Sequence, residues 1–250
     1  MARQTKTPGG FIEFVKTIFY AGLIAVGIHT FLFEPFYIPS GSMVPTLLVG
    51  DYLVVNKFAY GYSHFSFPFA PDFFSGRWPA GAPKRGDVVV FRPPGDLGED
   101  FIKRVIGLPG DTIQMVNGQL LINGQQVPRQ DAGTYSDDSD SYGPPVLARD
   151  YTETLPGGVT HQILKRTDEG FANNTPVYTV PPGDLFMMGD NRDNSEDSRF
   201  LDGPVGYVPI ENVIGPADLI FFSIDLQHPF WQVWYWPFEI RWGRMLHEIK

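Results

Sequence analysis

The hydrophobic pattern divides the chain into one long apolar run and a series of short apolar segments. The long run covers residues 11–33, and from residue 17 onward it contains no acidic or permanently basic side chain. A helix needs about 17–25 such residues to cross the apolar core of a bilayer, at a rise of about 1.5 Å per residue. We therefore predict that residues 11–33 form a transmembrane anchor helix.

The charges on either side of this run predict its orientation. The basic residues at its N-terminal side are Arg3, Lys6 and Lys16. Glu34 and Asp51 are the first charged residues after it. Because basic segments are retained on the cytoplasmic side, we expect a single-pass anchor with residues 1–10 in the cytoplasm and the chain after Glu34 outside it.

A cleavable signal peptide and a buried helix are the alternatives for this run. A signal peptide has a shorter apolar region of about 7–15 residues, followed by a small-x-small cleavage site. Residues 31–34 contain no small pair, and the run is longer than that. A retained anchor is therefore the preferred interpretation.

The short apolar segments predict a β-rich protein. They are rich in β-branched and aromatic residues and are separated by turn residues, among 27 glycines and 23 prolines. The predicted strands lie at residues 51–58, 86–91, 100–111, 120–122, 161–164, 177–180, 185–188 and 219–222. We expect a mostly β fold in which the transmembrane helix precedes a β domain formed by residues 34–111 and 182–250, with a smaller β domain inserted at residues 112–181.

Three other segments have compositions that predict loops or surface contacts. The acidic tract at residues 131–140 is typical of a solvated loop. The aromatic segments at 60–83 and 230–238 fit either contact with the lipid surface or packing on the sheet.

Composition excludes several classes of function. The chain has a net charge of −9 and no basic cluster interleaved with aromatic residues, so nucleic acid is not an expected partner. It contains no cysteine, which excludes disulfides, thiolate nucleophiles and cysteine metal sites.

Residues 39–46 are the first candidate for chemistry. Their sequence is Pro-Ser-Gly-Ser-Met-Val-Pro-Thr, with Ser40 and Ser42 on either side of one glycine and a proline at each flank. Such a composition is also typical of an ordinary turn. We expect an extended segment that places both serines on the same side. A serine hydroxyl becomes a good nucleophile only when a base removes its proton.

Lys103 is the candidate base. In a strand, Phe101, Lys103 and Val105 share one face, and Arg104 lies on the other. A lysine between apolar neighbours loses hydration, which lowers its pKa and allows the neutral amine to act near neutral pH. The alternative is that Lys103 simply reaches solvent, as most lysines do.

Residues 189–199 form the third polar segment. Their sequence, Gly-Asp-Asn-Arg-Asp-Asn-Ser-Glu-Asp-Ser-Arg, lacks the ligand and the glycine that a calcium loop needs, because Arg192 and Ser195 occupy those positions. We expect no metal here, but a turn in which Asp–Arg pairs and side-chain-to-backbone hydrogen bonds fix the chain.

With its anchor, the chain resembles the bacterial type I signal peptidases, also called leader peptidases. The matching blocks are Glu34-Pro-Phe-Tyr-Ile-Pro-Ser-Gly-Ser-Met-Val-Pro-Thr-Leu, Phe101-Ile-Lys-Arg-Val-Ile-Gly-Leu-Pro-Gly-Asp and the 189–199 segment. They cover the predicted catalytic half, whereas the loop at 60–83, the insertion and the C-terminal tail match weakly or not at all. The resemblance implies a serine endopeptidase without cofactors that cuts exported preproteins after small-x-small sites.

The resemblance also implies a role for individual residues. Ser42 would be the nucleophile and Lys103 its general base. The Ser42 backbone N–H and the Ser40 hydroxyl would form the oxyanion hole. The Ser195 hydroxyl would orient the Lys103 amine, and an Asp197–Arg199 pair would support the site. Shallow pockets for the substrate residues at −3 and −1 would be walled by Phe36, Ile38, Met43, Leu47, Leu53, Val90, Phe101 and Ile102.

The implied location is the bacterial plasma membrane, with the catalytic domain on its outer, periplasmic face. The implied partners are signal peptides of exported preproteins, the lipid bilayer and the neighbouring export machinery. Two other functions stay open from the sequence. One is a non-catalytic β module, tethered to the membrane, that binds exported chains. The other is a Ser/Lys maturation peptidase with a narrow substrate range.

Overall fold

The computed structural model describes residues 10–67, 70, 75–137, 145–225, 228 and 231–249. Most of the expected cytoplasmic segment, part of the loop at 60–83, the end of the acidic tract and Phe230 of the aromatic tail lie outside the described residues.

The apolar run forms a helix, α1 (Gly10–Phe31), of 22 residues, none of which is buried. Within the described part of the chain it is the one helix that is long and apolar enough to cross a membrane. The prediction placed its end two residues late, because Phe33 already belongs to the first strand. The last turn is fixed to the β domain, since Lys57 Nζ donates to His29 O at 3.3 Å and Tyr62 Oη donates to Phe31 O at 2.7 Å.

The regular secondary structure of the described residues after α1 consists mainly of strands, which confirms the predicted mostly β fold. The strands are β1 (Phe33–Tyr37), β2 (Asp51–Asn56), β3 (Val88–Phe91), β4 (Phe101–Gly107), β5 (Thr112–Val116), β6 (Gln119–Ile122), β7 (Gln125–Gln126), β8 (Arg129–Asp137), β9 (Val146–Thr154), β10 (Thr160–Lys165), β11 (Tyr178–Thr179), β12 (Asp184–Met188), β13 (Val208–Pro209), β14 (Val213–Ser223) and β15 (His247–Glu248). A short helix, α2 (Trp236–Glu239), lies in the C-terminal tail.

The largest sheet is antiparallel, with the strand order β1-β2-β14-β3-β4-β12-β13 and β15 paired to β14. The strand β14 is long enough to pair with β2 through its C-terminal half and with β3 through its N-terminal half. One apolar core of this sheet contains side chains from β2, β3 and β14, including Leu53, Val90 and Ile220. Although three strands separate β1 from β4 in this order, β4 contacts the turn that follows β1.

The strands between β4 and β12 form two smaller sheets, in the orders β11-β5-β6-β7 and β10-β9-β8. The first of them shares a core with the large sheet, in which Ile113 and Met115 pack with Phe186 and Met188 of β12. These two sheets coincide with residues 112–181, the segment predicted as an inserted domain. That residues 112–181 form a separate domain stays a prediction.

The expectation of a solvated loop at the acidic tract is wrong for residues 131–137. They belong to β8, which pairs with β9 in register from Arg129 to Asp137 apart from one irregularity near Gly133. Most side chains of β8 are exposed, so the strand lacks the apolar alternation that would have predicted it. Its backbone is satisfied by pairing with β9.

Candidate active site

Ser42 lies in a buried turn, which we call the serine turn (Gly41–Met43). The turn has 3₁₀ geometry and follows Ser40, whose backbone is extended. The expectation that both serines share one extended segment is therefore wrong. Ser40 is exposed whereas Ser42 is buried, because the chain turns inward between the flanking prolines.

Strand β4 delivers Lys103 to this turn. Lys103 Nζ donates to Ser42 Oγ at 2.8 Å and to its neighbour's carbonyl, Ile102 O, at 3.1 Å. The two side chains are both deeply buried, with exposed fractions of 4% for Lys103 and 8% for Ser42. Lys103 therefore does not reach solvent, as the alternative interpretation required.

Burial lowers the pKa of Lys103 to about 8. The carboxylates of Asp197, Asp190 and Glu196 act in the opposite direction and raise it, while Arg199 lowers it. With such a pKa, on the order of a tenth of the amines are neutral at pH 7, against fewer than one in a thousand for an ordinary lysine. The site therefore contains a populated neutral amine in contact with a hydroxyl.

The buried pair Asp197–Arg199 lies beside this amine. Arg199 Nε and Nη2 each donate to the Asp197 carboxylate at 2.8 Å, and both residues are fully buried. Burial alone would raise the pKa of Asp197, but the guanidinium of Arg199 outweighs it and holds that pKa below its usual range. Asp197 is therefore a permanent buried anion close to the site.

Ser195 is held by this carboxylate. Its Oγ donates to Asp197 Oδ2 at 2.8 Å, and the Gly189 N–H donates to the same oxygen at 3.0 Å. Among the described residues, the hydrogen-bond acceptors of the Lys103 amine are Ser42 Oγ and Ile102 O. The expected direct contact between Ser195 and the amine is thus not made in this state, although Asp197 accepts from Ser195 and its charge raises the pKa of Lys103.

Gly189 is the point at which these elements converge. A Cβ atom added to it would lie 2.5 Å from Ser42 O and would also overlap Ser195 Oγ. The close approach of Ser42 and Ser195 to the backbone of Gly189 therefore requires a residue without a side chain at this position.

A second buried pair supports the site from the other face of β4. Arg104 donates through Nε and Nη2 to the Asp190 carboxylate at 2.9 and 2.7 Å, and Thr46 Oγ1 donates to the same carboxylate at 2.5 Å. Sequence reasoning placed Arg104 opposite Lys103 but missed its partner Asp190. The 189–199 block predicted local Asp–Arg pairs, and no local signal indicates a pair across 86 residues.

The serine turn opens into a cleft of about 750 Å³. The predicted site residues that line it are Ser40, Ser42, Lys103, Phe36, Ile38, Val90, Phe101 and Ile102. Met43, Leu47 and Leu53 are fully buried and pack in the core behind this lining. Acidic residues on the rim, Glu99, Asp100 and Glu196, also line the cleft and were not predicted.

The described residues contain no group of three or more His, Asp or Glu side chains arranged to hold a metal ion. The chemistry that this arrangement offers is that of a hydroxyl, an amine of lowered pKa and backbone donors in an apolar cleft. Such groups can transfer an acyl group from a peptide to serine.

Comparison with known proteins identifies the family. The model of the family "Signal peptidase, peptidase S26" matches residues 11–222. Signal peptidase I of Rickettsia typhi is 43% identical over 213 residues, which cover 81% of this chain and 77% of that protein. Signal peptidase I of Rickettsia canadensis is 42% identical over 222 residues, which cover 84% and 80%.

A crystal structure of a signal peptidase I from Enterococcus faecalis V583 is similar at 27% identity, covering 54% of this chain and 95% of that chain with a TM-score of 0.30. The matching region of the family model contains the serine turn, Lys103 and the 189–199 segment. The resemblance predicted from three sequence blocks is thus confirmed, and this chain belongs to the signal peptidase family, peptidase S26.

Proposed function

We propose that the chain is a membrane-anchored serine endopeptidase that removes N-terminal signal peptides from exported preproteins. Membership of the family supports a peptidase that acts on signal peptides. The observation that carries the proposed mechanism is the 2.8 Å contact between the Lys103 amine and the Ser42 hydroxyl in a buried, apolar-lined site.

Acylation begins when neutral Lys103 accepts the proton of Ser42 while the Ser42 oxygen attacks the carbonyl carbon of the scissile bond. The carbonyl π electrons move to its oxygen, which becomes an oxyanion. The Ser42 backbone N–H and the Ser40 hydroxyl donate to this oxygen. A donor of this kind contributes on the order of 3–4 kcal/mol when it is preorganised.

Collapse of the tetrahedral intermediate breaks the C–N bond, and the Lys103 ammonium gives its proton to the leaving amine. The signal peptide is then held as an ester on Ser42. In the second half, Lys103 takes a proton from water as the water oxygen attacks this ester. Ser42 recovers its proton from Lys103 when the ester bond breaks, so the enzyme returns to its starting state.

Ser195, Asp197 and Arg199 act on the base rather than on the substrate. The Asp197 carboxylate orients the Ser195 hydroxyl and holds the Gly189 N–H. We assign to Ser195 the orientation of the Lys103 amine once proton transfer removes its bond to Ser42. Arg199 keeps Asp197 ionised.

Specificity for small-x-small sites follows from the apolar lining of the cleft. We assign to Phe36, Ile38, Val90, Phe101 and Ile102, which line the cleft, the walls of two shallow pockets that accept short side chains, with Met43, Leu47 and Leu53 packed behind them. One excess methylene is discriminated by about 1–3 kcal/mol in such a pocket.

The helix α1 is assigned as the single membrane anchor, with its N-terminal end in the cytoplasm and the cleft outside the plasma membrane, near the export machinery. Residues 34–111 and 182–250 are assigned as the catalytic domain, with residues 112–181 inserted in it. The apolar, fully unburied surface of α1 supports this arrangement.

The proposed function is tested by cleavage of a purified preprotein in detergent. We expect Ser42→Ala and Lys103→Met to lower the rate by at least about 10⁴-fold, since nucleophile and base act as one unit. Lys165→Met is the matched control, because Lys165 is equally buried but lies outside the cleft. Cleavage that survives in either dyad variant, with the protein folded by circular dichroism, would refute the mechanism. A wild-type protein that binds preproteins without cutting them would indicate a non-catalytic module.

A further inference from the structure

Asn191 donates hydrogen bonds to two of the three carbonyl groups of the serine turn. Its side-chain Nδ2 donates to Gly41 O at 3.1 Å, and its backbone N–H donates to Ser42 O at 3.1 Å. Asn191 is fully buried and 150 residues away from Gly41 in the chain. No step of the mechanism above uses this residue.

The Asn191 contact with Gly41 O, which also accepts the Val44 N–H at 3.2 Å within the turn, adds a second restraint on the direction of the Ser42 N–H. In a trans peptide, the carbonyl oxygen and the amide hydrogen point to opposite sides of one rigid plane. The plane between Gly41 and Ser42 carries the Gly41 oxygen at one edge and the Ser42 N–H at the other. Because Asn191 draws this oxygen into the protein, the Ser42 N–H is turned away from Asn191.

The Asn191 side chain is itself fixed by the three-stranded sheet of the insertion. Its Nδ2 also donates to Asp137 Oδ2, at 2.7 Å, and Arg166 Nη2 donates to the same oxygen at 2.7 Å. The two acceptors on either side of Nδ2 determine which end of the amide faces the turn. A flipped amide would place its oxygen against Gly41 O and a carboxylate.

The backbone around Asn191 is fixed by β10. Leu164 N–H donates to Asp190 O at 2.9 Å, and Arg192 N–H donates to Leu164 O at 3.0 Å. A parallel bridge joins Leu164 to Asn191. The position of Asn191 is therefore determined on both sides by β10, at a distance from the cleft.

We propose that Asn191 is a positioning residue that aims the Ser42 N–H at the developing oxyanion, and that the inserted sheet sets this aim through Asp137 and β10. The proposal rests on the proposed acyl transfer at Ser42. Asn191 touches neither the substrate nor Lys103 in this scheme. Its loss should therefore weaken stabilisation of the transition state without changing the base.

The test compares Asn191→Ala with Asn212→Ala. Asn212 is the matched control, because it is also buried and also donates its amide to one backbone carbonyl, Arg92 O, at 2.8 Å. Five quantities are measured in detergent on the full chain: kcat and KM for a peptide substrate, the affinity of a peptide aldehyde that forms a tetrahedral adduct with serine, the pH profile of kcat/KM, and Tm.

For Asn191→Ala we expect kcat to fall about 10- to 100-fold, with KM changed less than about threefold. The affinity for the aldehyde should fall in proportion to kcat/KM, and the acid-side midpoint of the pH profile should stay in place. Asn212→Ala should keep the wild-type kcat even if its Tm falls as far as that of Asn191→Ala. If Asn191→Ala does not fold, Asn191→Ser is measured, since it keeps the backbone contact with Ser42 O and removes the amide.

A kcat within twofold of wild type would overturn the proposal, as would aldehyde affinity that stays constant while kcat falls. Equal losses in the two asparagine variants at equal Tm would assign Asn191 a purely structural role and would also overturn it. The Ser42→Ala variant distinguishes failure of the proposed function from failure of the positioning role of Asn191. If Ser42→Ala remains active, the proposed function fails, whereas an inactive Ser42→Ala with an unaffected Asn191→Ala refutes only the positioning role.

Discussion

Lys103 Nζ lies 2.8 Å from Ser42 Oγ, although the two residues are 61 positions apart in the chain. Two elements of the fold create this contact. Strand β4 carries Lys103 opposite Val89 of β3, and the serine turn folds inward beside β4. The amine is thus buried by the sheet itself, and burial is what lowers its pKa to about 8.

A buried lysine should make the protein less stable than it could be. The pKa of Lys103 falls from 10.5 to about 8 in the folded protein. Below pH 8 this shift lowers the free energy of unfolding by about 3 kcal/mol. The unfolded state binds more protons between pH 8 and 10.5, so this penalty decreases as the pH rises through that window. We expect Lys103→Met to be more stable than wild type at pH 7, as measured by urea denaturation. The difference should shrink towards pH 10, and a constant difference across this range would contradict the shifted pKa.

Gly189→Ala should inactivate the enzyme without unfolding it. The added methyl group would lie 2.5 Å from Ser42 O, which cannot move away independently of the serine turn. We expect kcat/KM to fall by more than about 100-fold, because a displacement of about 1 Å at the reacting groups is enough for that. Gly203→Ala is the control, since the nearest atom to its added Cβ is Phe200 O at 3.1 Å and no atom of Ser42 or Lys103 is among its close neighbours. Near-normal activity of Gly189→Ala would show that the turn is less rigid than described.

Glu196→Gln should lower the pKa of Lys103, the proposed base. Glu196 is exposed on the rim of the cleft, and its charge raises the pKa of Lys103. Removing that charge should move the acid-side midpoint of kcat/KM to lower pH by a few tenths of a unit at low ionic strength, and less at high salt. Glu99→Gln removes a charge from the same rim, but Glu99 is not among the groups that most affect Lys103. Equal shifts in both variants would point to a general surface potential instead.

Ile102→Ala should widen the substrate specificity. Ile102 lines the cleft and is only half-buried, so the substitution should be tolerated by the fold. We expect cleavage of peptides with valine in place of alanine at −1 or −3 to improve about 10- to 100-fold relative to the alanine peptide. Val177→Ala, at an exposed position outside the cleft, is the control. If the preference for alanine over valine stays unchanged, Ile102 does not form part of the proposed specificity pockets.

Much of this molecule was predictable from the sequence, because strong local patterns produce it. The apolar run predicted α1 to within two residues at each end, and the short apolar segments predicted β2, β3 and β4. The alternation along β4 placed Lys103 among apolar neighbours. Strand β8 escaped prediction because both of its faces are largely solvated, so that no alternation marks it.

The contacts that complete the site were not predictable in the same way. Asp190 pairs with Arg104, and Asn191 holds the serine turn, across 86 and 150 residues respectively. Polar residues in a turn-rich segment predict local hydrogen bonds, and nothing in their spacing indicates a distant partner. Similarly, the inward turn at Gly41 depends on the packing of Met43 in the core, which the extended-segment interpretation did not include.

The pH dependence of kcat/KM for a peptide substrate tests most directly whether Lys103 is the base that activates Ser42. In detergent, with a buffer series from pH 5 to 10, we expect the rate to fall about tenfold per unit on the acid side, with a midpoint near 8. This limb reports protonation of the free enzyme's base. A profile that stays flat down to pH 5, or a midpoint near the value of an ordinary histidine, would contradict a lysine base.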